Sequence, residues 1–153
     1  PTAYEAIRGV ANACQALPNL VIGGQPTRHH LEALQAAGAK LVLDIRAPGE
    51  PRGFDEPATL AALGLQYVNI PVGPVPLTDQ LMEEILGVLR GHAGDTTFYH
   101  CASGNRVGGA LIPLLILDHL MDEEDAIMIA RRGGLRAKEL LAWGLDYARR
   151  HRP

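Results

Sequence analysis

The sequence predicts a single α/β domain, with a central, mostly parallel sheet of four to five strands and helices on both faces. Three observations carry that expectation. The 153 residues are one domain's length. Short β-rich runs alternate with segments whose apolar residues recur at helical spacing, the pattern of strands joined by helical crossovers. No repeat, linker or low-complexity tract divides the chain, so the domain is expected to span 1–153. A composition of 47% hydrophobic and 20% charged residues is ordinary for a soluble domain. A domain of this size buries roughly 68–70% of its unfolded surface and needs no metal or disulfide staple.

The elements follow in order. Tyr4, Ile7, Val10, Ala11 and Cys14 sit at helical spacing over Ala3–Cys14. Asn19–Ile22 is a short apolar strand closed by the turn Gly23-Gly24-Gln25-Pro26. Thr27 caps a helix that runs to Ala37 and stops at Gly38. Lys40–Arg46 reads as a buried strand, stopped by Pro48-Gly49. Pro57–Leu63 is a short helix ending at Gly64, and Leu65–Ile70 is the next strand. A loop rich in proline and glycine leads to Thr78, the cap of a helix over Asp79–Arg90. The strand Thr96–His100 runs into Cys101, and an apolar helix extends from the following loop to about Leu120. Helices over Glu123–Arg132 and Arg136–Arg150 close the domain, with Arg149 to Arg152 expected as a frayed, solvated tail.

Charge and cysteine counts exclude several functions. Fourteen basic and seventeen acidic side chains give a net charge of −3, against nucleic-acid binding driven by a basic face. No apolar run reaches the roughly 18 residues of a membrane helix, and no signal-peptide pattern opens the chain. The expected location is the cytoplasm, with no nucleic-acid or membrane partner. A start at Pro1 rather than Met leaves a removed export segment open. Two cysteines, Cys14 and Cys101, cannot form a disulfide scaffold or a four-thiolate zinc site. The six histidines lack ligand spacing, so neither a metal nor another cofactor is expected.

The chemistry concentrates at Cys101-Ala102-Ser103-Gly104-Asn105-Arg106. In parallel sheets, ligands bind where strands end and loops lead into helices, and this segment lies between a strand and a helix start. A thiol there gains thiolate character from the helix dipole and from free N–H groups. The amides of Ala102, Ser103, Gly104, Asn105 and Arg106 are placed to cradle an anion, and Gly104 permits the tight turn. Arg106 offers a bidentate fork to a tetrahedral oxyanion. Composition alone gives a Cys-x-x-Gly-x-Arg match an expectation of about 0.02 by chance. The plain alternative is a buried structural cysteine beside an exposed arginine. Arg46, on the same face of its strand as Asp44, either adds a second cation for the oxyanion or pairs with Asp44 or Glu50. Cys14 is expected in the core. Gly108-Gly109, early in the next helix, suggest close helix–sheet packing.

The run His100 to Arg106 resembles the catalytic loop of cysteine-dependent phosphatases. Ile22-Gly23-Gly24-Gln25-Pro26-Thr27, Leu41–Arg46 with Glu50, and Asn69-Ile70-Pro71-Val72 are similar to one branch, the bacterial beta-lactamase-hydrolase-like family. Its phosphatase-like domain has the dual-specificity, protein tyrosine phosphatase-like fold. The likeness covers about 20–132. It implies hydrolysis of a phosphomonoester, on a small molecule or a phosphoprotein, through a thiophosphoryl cysteine, with Cys101 as nucleophile and Arg106 as phosphate binder.

Two departures from that pattern matter. Four residues separate Cys101 from Arg106 where tyrosine phosphatases have five, and four is the spacing of rhodaneses, whose cysteine carries a persulfide. Sulfur transfer is therefore a rival expectation. The family's general-acid aspartate falls where this chain has Gly73-Pro74. Asp79 is the nearest substitute, with Glu50 and Asp44 behind it, although Asp79 also reads as a helix-dipole residue. The missing aspartate equally allows a non-catalytic oxyanion-binding domain. Oligomeric state is not readable from the sequence.

Overall fold

The computed structural model describes residues 1–153 as a five-stranded sheet in the order β1-β2-β5-β3-β4. The strands are β1 (Cys14–Leu17), β2 (Leu20–Gly23), β3 (Leu41–Asp44), β4 (Gln66–Asn69) and β5 (Thr97–His100). β2, β5, β3 and β4 are parallel, and β1 adds antiparallel to β2 at one edge. The parallel strands alternate residue by residue between two cores. Val21, Val42 and Phe98 face one cluster with α1 (Ala3–Ala6), α2 (Arg28–Ala36) and α3 (Glu56–Leu63). Ile22, Leu43 and Tyr99 face a larger one with α4 (Asp79–Gly91), α5 (Val107–Pro113), α6 (Glu123–Arg132) and α7 (Lys138–His151). That two-residue period is why the strands read as continuous apolar runs: both faces are covered. The expected layered α/β domain is the one found.

Four local expectations are corrected. The first helix ends after Ala6 rather than reaching Cys14. A capping box at Thr2 starts it, but Gly9 and Asn12 take positive φ (95° and 56°) and turn the chain back. Cys14 accordingly lies on strand β1, half-buried, where burial pushes its thiol up. Beyond Pro113 the post-loop helix widens into a π-helical turn, Leu114–Asp118, because proline lacks an N–H and crowds the preceding turn. Gly108 faces Leu135 of the α6–α7 connection and Gly109 faces Trp143 of α7, so they serve close packing of α5 against that connection and α7 rather than against the sheet. The basic C-terminal run continues α7 to His151, where Arg149 pairs with Glu123 at 2.8 Å.

Candidate active site

The parallel strands end at one edge of the sheet, and the loop Cys101–Arg106 sits there between β5 and α5. Its backbone is held on three sides. Cys101 N–H donates to Gly23 O, and Gln25 N–H donates to Ala102 O at 3.0 Å. Gly24 lies so close that a Cβ on it would be 2.6 Å from Ala102 O, which is the physical content of the Gly-Gly-Gln-Pro turn. On the far side the α6–α7 connection closes over the loop. Arg136 and Ala137 N–H both donate to Asn105 Oδ1, at 2.7 and 3.0 Å, and Asn12 Nδ2 donates to Ser103 O at 2.7 Å. Gly104 sits at φ 90° with Gly133 O against its α-carbon, a conformation and a contact that exclude any side chain.

Inside the loop Cys101 is fully buried, and its Sγ accepts the Gly104 N–H at 3.1 Å. The N–H groups of Ala102, Ser103 and Asn105 make no hydrogen bond within the protein, so the loop carries unengaged donors where an anion cradle needs them. Arg106 stands at the mouth, its terminal nitrogens donating to Glu50 at 2.6 and 2.8 Å and to Val72 O at 3.3 Å. Arg106 holds the Glu50 carboxyl below the usual carboxylate range, and Glu50 also accepts from Ala47 N–H. Beside them opens a shallow cleft of about 480 Å³, walled by Val72, Pro74, Leu77 and Leu140 with Glu139 at its rim.

Arg46 is not at this mouth. It is 1% exposed and lies beneath the loop, donating to both oxygens of Asp44 at 2.9 Å, to Glu56 at 2.7 Å and to Gln25 at 3.3 Å. Its charge is already matched by two buried carboxylates, so of the two expected roles the structure shows the pairing with Asp44, with Glu56 rather than Glu50 as second partner, and not a second cation at the oxyanion site. Burial alone would push Asp44 up; hydrogen bonds from Arg46, with Tyr67 adding another, hold it well below its ordinary value instead. His100 completes the layer, with Nε2 2.7 Å from Glu56 and Nδ1 3.0 Å from Cys101 O. A carbonyl only accepts, so Nδ1 carries a proton. Asp44, Glu56 and His100 could in principle share a cation, but the Arg46 guanidinium is bonded to both carboxylates and takes that position.

Asp79 is also corrected as a proton donor. Both its oxygens accept from Arg150 on α7, at 2.7 and 2.8 Å, and that pairing holds its carboxyl below the usual range. It does not line the cleft beside Arg106. Sequence reasoning missed Glu56, Gln25 and the α6–α7 connection as parts of the site. Only the Gly-Gly-Gln-Pro turn carried a readable signal. β2 lies between β1, which carries Cys14, and β5, which leads into Cys101, and both thiols are free.

No protein-family model matches the chain, and no curated protein matches it by sequence. Solved structures do match. The "Putative phosphatase (DUF442)" of Shewanella putrefaciens CN-32 is 18% identical, with 96% of this chain and 97% of that one covered at a TM-score of 0.77. The core catalytic domain of the PP-IP phosphatase SIW14 from S. cerevisiae, in complex with citrate, is 16% identical over 92% and 90%, TM-score 0.74. TpbA of P. aeruginosa, in complex with pTyr, is 17% identical over 90% and 83%, TM-score 0.66. At these identities the likeness establishes the fold, a protein tyrosine phosphatase-like domain along nearly the whole chain.

Proposed function

We propose that this chain, built on the fold of these phosphatases, is itself a cysteine-dependent phosphatase acting on a phosphorylated small molecule or phosphoprotein. The observation that carries the reading is the loop itself: a buried Sγ accepting a backbone N–H at 3.1 Å, among amides with no other partner and an arginine fork at the opening. A tetrahedral dianion suits that donor set. In the proposed reaction Cys101 Sγ attacks phosphorus. The N–H groups of Ala102, Ser103 and Asn105 together with Arg106 receive the equatorial oxygens. Water then attacks the thiophosphoryl intermediate and regenerates the thiolate. Glu50 occupies the Arg106 fork in the free protein, so substrate phosphate exchanges with that carboxylate on binding. The names of SIW14 and of the TpbA complex, a PP-IP phosphatase and a pTyr-bound protein, support a phosphorylated substrate.

The test is phosphate release from p-nitrophenyl phosphate by the wild type and by Cys101→Ser, run beside thiocyanate formation from thiosulfate and cyanide. Release that disappears in Cys101→Ser is the expected result. Thiocyanate formation dependent on Cys101, without phosphate release, assigns sulfur transfer instead. Neither activity, with phosphate still bound, assigns an oxyanion-binding domain.

A further inference from the structure

Displacing an alkoxide or phenoxide from phosphorus requires a proton on the leaving oxygen as the P–O bond breaks. A leaving group that departs as a stable anion requires none. The carboxyl groups around the loop bear on which kind this site accepts. Val72, Gly73, Pro74 and Leu77 form one wall of the cleft, and the segment Pro71–Leu77 that carries them contains no side chain able to donate a proton. Glu50 gives both oxygens to Arg106 in the free protein, and when phosphate takes that fork Oε2 still accepts the Ala47 N–H, a bond that favours the carboxylate. Asp79 is held by Arg150 in the same way. Asp44 and Glu56 are buried behind the loop with Arg46 between them. The one further carboxyl lining the cleft is Glu139, exposed in the first turn of α7, and the experiment below tests it directly.

Resting on the phosphatase reading above, we infer that the site cleaves phosphoryl compounds whose leaving group is a weak base, an acyl phosphate or a phosphoanhydride, without a general acid from the protein. The Cys101 Sγ–P bond forms as the P–O bond breaks. The electron pair stays on the leaving oxygen, which departs as a carboxylate or a phosphate anion and takes no proton. Water then attacks phosphorus, the S–P pair returns to Sγ, and the proton lost by the water passes to the released phosphate or to solvent. No oxidant, reductant or further co-reactant enters.

The experiment compares kcat/KM for phenyl phosphate, p-nitrophenyl phosphate, dinitrophenyl phosphate and acetyl phosphate, in the wild type and in Glu139→Gln, with Cys101→Ser as the blank. The expected result is a steep rise as the leaving group becomes less basic, at least about 10²-fold from phenyl to dinitrophenyl phosphate, the scale of a missing acid. Acetyl phosphate should outrun phenyl phosphate, and Glu139→Gln should leave the series unchanged. A flat series in the wild type overturns the inference. So does a Glu139→Gln loss confined to phenyl phosphate, which would make Glu139 the acid. If no substrate turns over in a Cys101-dependent way, the phosphatase reading fails and this inference fails with it.

Discussion

Arg46→Met tests whether the layer beneath the Cys101–Arg106 loop is a structural strut. The substitution keeps the stem's bulk and deletes one buried cation, with its bonds to Asp44 Oδ1 and Oδ2, Glu56 Oε1 and Gln25 Oε1. Asp44 retains Arg52 and Tyr67, and Glu56 retains His100, yet both carboxylates stay buried with less positive charge beside them. Removing one partner of a buried ionic cluster costs about 3–5 kcal/mol. A domain's total stability is roughly 5–15 kcal/mol, so a fifth or more of it is at stake. At about 2–4 °C per kcal/mol for a chain of this size, the thermal midpoint should fall by roughly 6–20 °C. The sign with pH is fixed as well. Asp44 titrates below its unfolded value, so its contribution is complete above the ordinary aspartate pKa of about 3.9 and is lost as pH falls toward the depressed folded value. The difference between wild type and variant should therefore be constant from neutrality down to about pH 4 and shrink below it. Urea titrations followed by circular dichroism across that range measure both quantities. A native-like variant that loses less than about 1 kcal/mol at pH 7, within the range of exposed pairs, would refute the strut.

The exposed pairs give the contrast. Arg150→Ala breaks the bonds to Asp79 and Asp146 at half-exposed side chains and should leave the urea midpoint close to wild type; a loss matching that of Arg46→Met would show that burial is the wrong variable. Gly104→Ala forces a methyl onto Gly133 O at φ 90°, and should abolish phosphate release and lower the thermal midpoint. Full activity in that variant would mean that the loop moves freely from the α6–α7 connection. Arg106→Ala removes the fork and should lower kcat/KM for p-nitrophenyl phosphate by about 10²–10³-fold. Glu50→Gln replaces the anion seated in that fork with a neutral amide, so inorganic phosphate should inhibit several-fold more tightly. Weaker inhibition would instead make Glu50 the group that aims Arg106.

The parallel sheet was legible because both its faces are buried, so Leu41–Asp44 and Thr97–His100 stand out as apolar or β-branched runs between turn signals. β1 was not, because its four residues carry no such run, and Tyr4, Ile7, Val10 and Cys14 fall at helical spacing by coincidence. Gly9 and Asn12 were the available signal, since both can take the left-handed conformation that ends α1. Pro113 marked the change from α5 to a π-helical turn, yet sequence offers no means of distinguishing a widened helix from a kinked one.

The Cys101–Arg106 loop was legible for a different reason: it is built from backbone amides and from a cysteine, a glycine and an arginine close together in the chain. Local spacing therefore carries the geometry. The roles of Arg46 and Asp79 depend on which counter-charges the fold brings to them, from a neighbouring helix for Arg46 and from 71 residues away for Asp79. Arg46 stands at a strand end with Asp44 two residues away, a placement that fits a substrate-binding arginine as well as a paired one, and the second buried carboxylate, from Glu56, makes it a strut. Asp79 looks like an acid near the loop until Arg150, 71 residues further on, takes both its oxygens. A charged side chain's role follows from which counter-charge reaches it first, and long-range pairing decides that. The same rule separates the two arginines of the site. Arg46 meets two carboxylates in a closed layer and cannot exchange them. Arg106 meets one, partly exposed at the mouth of a cleft, which is the arrangement an incoming oxyanion can displace.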